Sequence, residues 1–169
     1  MERHAVAPVP DVRGNAEGVD VSFTGGESYE ALVRGHRIVV DQPTGSGGAD
    51  SAPTPVELFV ASLATCVAFY AGRYLTRHGH GRDGLTVSAG FAMASDRPAR
   101  VSAIRLTVRV PASLPAERRS ALHDVVEHCT VHNTLASEPS VTIELDRAGH
   151  QRSCGAGQLR CSFSQQGRG

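Results

Sequence analysis

The sequence predicts an α+β fold: a largely antiparallel sheet with two main helices. Three observations carry that expectation. Short alternating apolar segments follow one another in hairpin-like succession near the N-terminus, and again between residues 85 and 110. One stretch, "PTPVELFVASLATCVAFYAGRYL" at 53–75, is apolar nearly all the way round. The order of segments is three strands, helix, two strands, helix, strand, so hairpins rather than helical crossovers make the connections.

The first strands are expected at 19–24 ("VDVSFT"), 28–33 ("SYEALV") and 36–41 ("HRIVVD"). Gly25-Gly26 and Arg34-Gly35 fall at the turns between them. The Gly/Pro/Ser-rich run "QPTGSGGADSAPTP" then reads as a loop. A long helix follows over about residues 55–76. Thr54 suits its N-cap, Pro55 its first turn, and Glu57 completes a capping box with Thr54. Its charges, Glu57 at one end and Arg73 and Arg77 at the other, argue for a buried helix and against a membrane span. Strands are expected at 85–95 and 103–110, the second with Ile104, Leu106, Val108 and Val110 on one face and Arg105, Thr107 and Arg109 on the other. A second helix over 115–129 has Leu122, Val125, Val126 and Cys129 as its inner stripe. "SVTIEL" at 140–145 alternates as a last strand. The domain is thus expected over 18–146, between a loose arm at 1–17 and a mobile tail at 147–169.

Composition narrows the function classes. A chain of 169 residues with 40% hydrophobic residues suits one domain with a real core. Formal net charge is zero, so no nucleic-acid partner is expected. All 17 basic side chains are Arg, which reads as a compositional habit. No signal peptide is expected, since no apolar run follows the first charges. Four cysteines (66, 129, 154 and 161) are too few and scattered for a disulfide-dense secreted scaffold, and a cytoplasmic protein is expected. The first helix is too apolar for one of its sides to face water, so a second copy of the chain is expected to cover it.

Cys66 and Cys129 are the residues of most chemical interest. Each alone reads as a small buried apolar residue. Together, on helix faces that can meet in a two-layer domain, they read as a catalytic, redox-sensing or metal-binding pair. For metal, His128 and His132 flank Cys129, and His78 and His80 follow the first helix. Their spacing matches no zinc pattern, so no metal and no cofactor are expected. His132 could instead favour a neighbouring thiolate. Cys154 and Cys161 read as surface thiols, with a local disulfide as the alternative.

The run "DQPTGSGGADSAPTPVELFVASLATC" and the later "VEHCTVHNTL" resemble the OsmC/Ohr family, the osmotically inducible protein C and organic hydroperoxide resistance proteins, over about residues 19–146. The combination of a P-x-E-L helix entry, a mid-helix Cys and a second CxxH-type segment carries the resemblance. It implies an intertwined homodimer with central Cys-bearing helices. It also implies reduction of organic hydroperoxides to alcohols, with Cys66 as the attacking thiolate, Cys129 as the resolving thiol, and an external dithiol of lipoyl type as reductant. The family helix begins Asn-Pro-Glu, its Glu pairing with an Arg after a Gly-Gly turn. Here Val56 follows Pro55, Glu57 comes one place later, and Glu27 follows Gly25-Gly26. A shift of one residue turns a side chain by about 100°. Glu57 is therefore expected to cap the helix, and Arg34 or Arg37 to supply any activating cation. These departures suggest a distant OsmC-like branch. The alternative function is a non-enzymatic stress protein that binds a small apolar ligand at the dimer cleft.

Overall fold

The structure is a computed structural model that describes residues 18–145. The expected arm at 1–17 and tail at 147–169, with Cys154 and Cys161, lie outside the described residues. The chain divides into two units after Pro139.

The first unit begins with three antiparallel strands, β1 (Val19–Gly25), β2 (Ser28–Val33) and β3 (His36–Val40), in the order β1-β2-β3. Val21 faces Ala31, Phe23 faces Tyr29 and Ala31 faces Ile38 across the ladders. Opposed residues share a face, so Val19, Val21, Phe23, Tyr29 and Ile38 form one apolar surface. All five are exposed. Arg34 and Gly35 make the two-residue turn between β2 and β3, with φ of 49° and 84°. Both values are positive, as a turn that follows the strands' twist requires.

The loop after β3 is held from within. Asp41 is buried, and its carboxylate accepts hydrogen bonds from the backbone N–H groups of Gln42 (2.8 Å), Ala49 (3.1 Å) and Ser51 (3.0 Å) and from the Ser51 hydroxyl (2.7 Å). These bonds hold its pKa far below the ordinary carboxylate range, with the Ser51 backbone contributing most. Gly48 passes so close to the loop's start that a Cβ there would stand 1.9 Å from the Gln42 carbonyl oxygen.

The long helix α1 spans Pro55–Arg77. Its start is the expected capping box: the Thr54 hydroxyl accepts from the Glu57 N–H (3.2 Å), and the Glu57 carboxylate accepts from the Thr54 N–H (2.7 Å). By length and composition α1 would also pass as a membrane span. In the fold it is the core helix, packed against four other elements. Two of these are β4 (Thr86–Met93) and β5 (Val101–Arg109), an antiparallel pair that sets Val87 opposite Val108 and Phe91 opposite Ile104. Ile104, Leu106, Val108 and Val110 pack on the core, and Arg105, Thr107 and Arg109 are exposed, as the alternation predicts.

The other two elements are α2 (Arg118–Glu127) and α3 (Thr130–Ala136). Here the expected single helix over 115–129 is corrected. The chain leaves the helix at His128 and starts again after Cys129, which becomes the N-cap of α3 with extended backbone. Side chains explain the break, because they replace the next turn as partners for the last carbonyls. His128 Nδ1 pairs with the Asp124 carbonyl (2.7 Å), His132 Nδ1 with that of Glu127, and the Asn133 amide donates to that of His128 (3.1 Å).

The core joins Leu63, Val67, Ala71 and Leu75 of α1 to Leu114, to Leu122 and Val126 of α2, and to Cys129. Leu75 is fully buried, a burial that stabilises the fold by about 2 kcal/mol.

In the second unit, Ser140–Leu145 forms no strand, contrary to the alternation of "SVTIEL". Val141, Ile143 and Leu145 are exposed. Alternation makes a strand only where a ladder forms, and among the described residues no strand is assigned to this segment.

Candidate functional site

The core brings Cys66 and Cys129 together. Cys66 lies in the middle of α1, half-exposed, and packs against the cluster that contains the fully buried Cys129. Both are free thiols, and Cys66 lies close enough to Cys129 to act on its titration. Burial first pushes the Cys129 thiol above its ordinary value. The His132 and Val131 backbone N–H groups pull the other way, without closing a capping hydrogen bond, and the adjoining Cys66 adds to the rise. A thiol that keeps its proton is a poor nucleophile towards peroxide, but it can serve as the S–H that meets an oxidised neighbour.

A row of polar groups continues along α1. Cys66, Tyr70 and Tyr74 stand four residues apart, so they share one helix face. Cys66 meets Cys129, the Tyr70 hydroxyl is 2.9 Å from that of Thr130, and the Tyr74 hydroxyl donates to the Arg118 carbonyl at 3.3 Å. The spacing C-x3-Y-x3-Y was present in the sequence, but only the docking of α2 and α3 shows what the tyrosines reach.

The other expected site residues are placed differently. Glu57 is exposed, and its hydrogen bonds to Thr54 lower its pKa, so it caps α1 as expected. Arg37 is committed to Glu30 on the neighbouring strand. Arg34 occupies the hairpin turn, and neither arginine is among the groups that act on Cys129. His132 adjoins the pair through its backbone, while its ring is turned to the Glu127 carbonyl. His78 ends α1 with Nδ1 on the Tyr74 carbonyl (2.9 Å). Among the described residues, a group of side chains close enough to share a metal ion is His123, Asp124 and Glu127; it is exposed and contains neither thiol.

An open cavity of about 410 Å³ lies between α1, β5 and α2, and neither thiol is among its lining residues. Leu63, Val67, Leu106, Val108, Leu122 and Val126 make its apolar walls, and Arg119, His123, Glu127 and His132 also line it.

A core helix packed on an antiparallel strand pair and two shorter helices defines an α+β class of protein. The OsmC-like protein family model matches residues 47–144, which include both cysteines, and the chain belongs to that family. No curated protein matches it. Among solved structures, it is similar to a Psychrobacter arcticus protein provisionally described as osmotic stress induced and detoxification response, at 23% identity and a TM-score of 0.64, over 69% of this chain and 85% of the other. An OsmC-like protein of Mycoplasma pneumoniae gives 16% identity and a TM-score of 0.63, over 72% and 88% of the two chains. An organic hydroperoxide resistance protein OsmC of Legionella pneumophila gives 15% and 0.55, over 71% and 90%. At these identities the likeness establishes a shared fold.

Proposed function

We propose that the protein is a thiol-dependent peroxidase that reduces organic hydroperoxides. The observation that carries this reading is the packing of a half-buried Cys66 against the core cluster that contains the buried Cys129. Family membership and the name of the Legionella relative point the same way. In the proposed cycle the Cys66 thiolate attacks the distal peroxide oxygen. The O–O bond breaks, an S–O bond forms, and the alkoxide leaves and takes a proton to become the alcohol. The Cys129 thiol then attacks the sulfenic sulfur, giving the Cys66–Cys129 disulfide and water. An external dithiol, lipoyl-type or another, reduces that disulfide by exchange and is itself oxidised to a disulfide. This chemistry suits the reducing conditions of the cytoplasm.

The working form in this reading is an intertwined homodimer. The apolar face of β1–β3, with Phe23 at 64% exposure, and the exposed side chains of Val141, Ile143 and Leu145 need covering, and a second copy supplies matching surfaces. A second copy's hairpin would also be the route by which Arg34 or Arg37 brings a cation to the thiols.

The test is stopped-flow oxidation with cumene hydroperoxide against hydrogen peroxide, read as thiol loss. Faster loss of two thiols with the organic peroxide is expected. Thiols inert to both peroxides would overturn the proposal. The apolar cavity of about 410 Å³ favours a second reading, a non-enzymatic protein that binds a small apolar ligand. Tight binding of an apolar probe, unchanged by Cys66→Ser and without peroxide consumption, would favour it.

A further inference from the structure

We infer that Tyr70 and Thr130 form a clasp that holds the two thiols in register for disulfide closure. The inference rests on the dithiol reading above, but not on which oxidant the pair meets. Tyr70 stands one helical turn beyond Cys66 on the same face of α1, and Thr130 follows Cys129 directly. Their hydroxyls are 2.9 Å apart. The hydrogen bond therefore joins the two cysteine-bearing elements right beside the thiols.

The need for such a tie follows from how Cys129 is mounted. It lies outside both helices, in the link between α2 and α3. That link is bonded mostly to its own neighbours: the Cys129 N–H to the Val126 carbonyl (3.3 Å), the Asn133 N–H to the Cys129 carbonyl (2.9 Å), and the Asn133 amide to that of His128 (3.1 Å). None of these bonds fixes the link relative to α1. Core packing presses Cys129 towards α1 but is non-directional. A disulfide has demanding geometry, so sliding of the link along α1 would separate the sulfurs. The Tyr70–Thr130 bond resists that slide, and Tyr74, bonded to the start of α2, anchors the same layer one turn further on. Tyr70 and Thr130 are positioning residues, because they act through the placement of Cys129. The clasp is formed while both thiols are reduced, and in this inference it is stronger once the sulfur–sulfur bond closes, because the disulfide removes the sliding that works against it; by reciprocity the clasp favours closure by the same factor.

The test uses a peroxide-free equilibrium. The full chain, with Cys154→Ser and Cys161→Ser, is incubated with mixtures of oxidised and reduced dithiothreitol. The two thiols become a disulfide as oxidised dithiothreitol becomes its dithiol, so electrons and protons balance. Mass spectrometry after acid quench gives the equilibrium constant. Tyr70→Phe and Thr130→Val should each lower it by about threefold, the part of one hydrogen bond that is gained only on closure. The double variant should lose no more than either single one, because one bond is removed in all three. Thr130→Ser keeps the hydroxyl and should restore the parent value. A general loss of stability would instead lower the urea midpoint and leave the redox equilibrium alone. Unchanged constants, a disulfide strengthened in the variants, additive losses, or a parent protein that forms no Cys66–Cys129 disulfide would each overturn the inference. A parent protein that equilibrates with dithiothreitol but ignores peroxides would overturn the peroxidase reading and leave the clasp tested on its own terms.

Discussion

Cys66 is half-exposed on the core helix, and the thiol it meets, Cys129, is fully buried. The asymmetry gives the two sulfurs different chemistry. Cys66 is open in part to solvent, whereas Cys129 is closed off from it. Desolvation keeps the proton on Cys129.

Single-cysteine variants should therefore behave differently. With Cys154 and Cys161 replaced, wild type treated with cumene hydroperoxide should lose the mass of two hydrogens. Cys129→Ser should gain oxygen instead, first as sulfenic acid and then further with excess peroxide. Cys66→Ser should not react, because a hydroxyl has too high a pKa to replace a thiolate. Intact-mass spectra separate the three outcomes. Oxygen gained by Cys66→Ser at Cys129 would reverse the assignment.

The capping box predicts a stability effect without a chemical one. Thr54→Ala removes the hydroxyl that accepts from the Glu57 N–H and should cost about 1 kcal/mol in urea unfolding. Glu57→Gln keeps a side-chain acceptor for the Thr54 N–H, and its rate of peroxide consumption should match wild type. A Glu57→Gln protein that folds normally but reacts orders of magnitude more slowly would make Glu57 part of the chemistry.

Asp41 should contribute an acid-sensitive share of stability. Its folded pKa is depressed below the reference of 3.8, so its contribution is complete above that value and is lost as pH falls through the folded pKa. Asp41→Asn should lower the melting temperature at pH 7, and the gap to wild type should narrow progressively below pH 3.8. Thermal melts across that range provide the check. Gly48→Ala should destabilise the same loop at every pH, since its methyl group would collide with the Gln42 carbonyl.

The exposed apolar face of β1–β3 predicts self-association. Sedimentation at micromolar concentration should show a dimer, with an interface of more than about 2,000 Å² in any crystal form. Replacing Phe23, which is 64% exposed, by Asp should weaken the dimer. A well-folded wild-type monomer at that concentration would count against the intertwined form.

Local chemistry was legible in the sequence wherever neighbours along the chain decide it. The Thr54–Glu57 cap, the Arg34-Gly35 turn, the two-faced β5 and the apolar α1 all follow from spacing and residue type, because their partners lie within a few positions. The two cysteine segments identified the family for the same reason: each is a compact run. Contacts between distant segments decided the rest. The break at His128–Cys129 depends on side chains that take over the last α2 carbonyls, and helical periodicity runs straight through it. "SVTIEL" carries a strand pattern, but strand formation needs an edge to pair with, and a pattern cannot supply one. Asp41 looked like the end of a strand until the loop folded back to give it four hydrogen-bond donors. The packing of Cys66 towards Cys129 and the meeting of Tyr70 with Thr130, the latter sixty residues apart, came from the docking of one apolar helix face onto another. Apolar burial is non-directional. The sequence alone therefore determined which faces must be covered, and only the tertiary structure decided which side chains meet there.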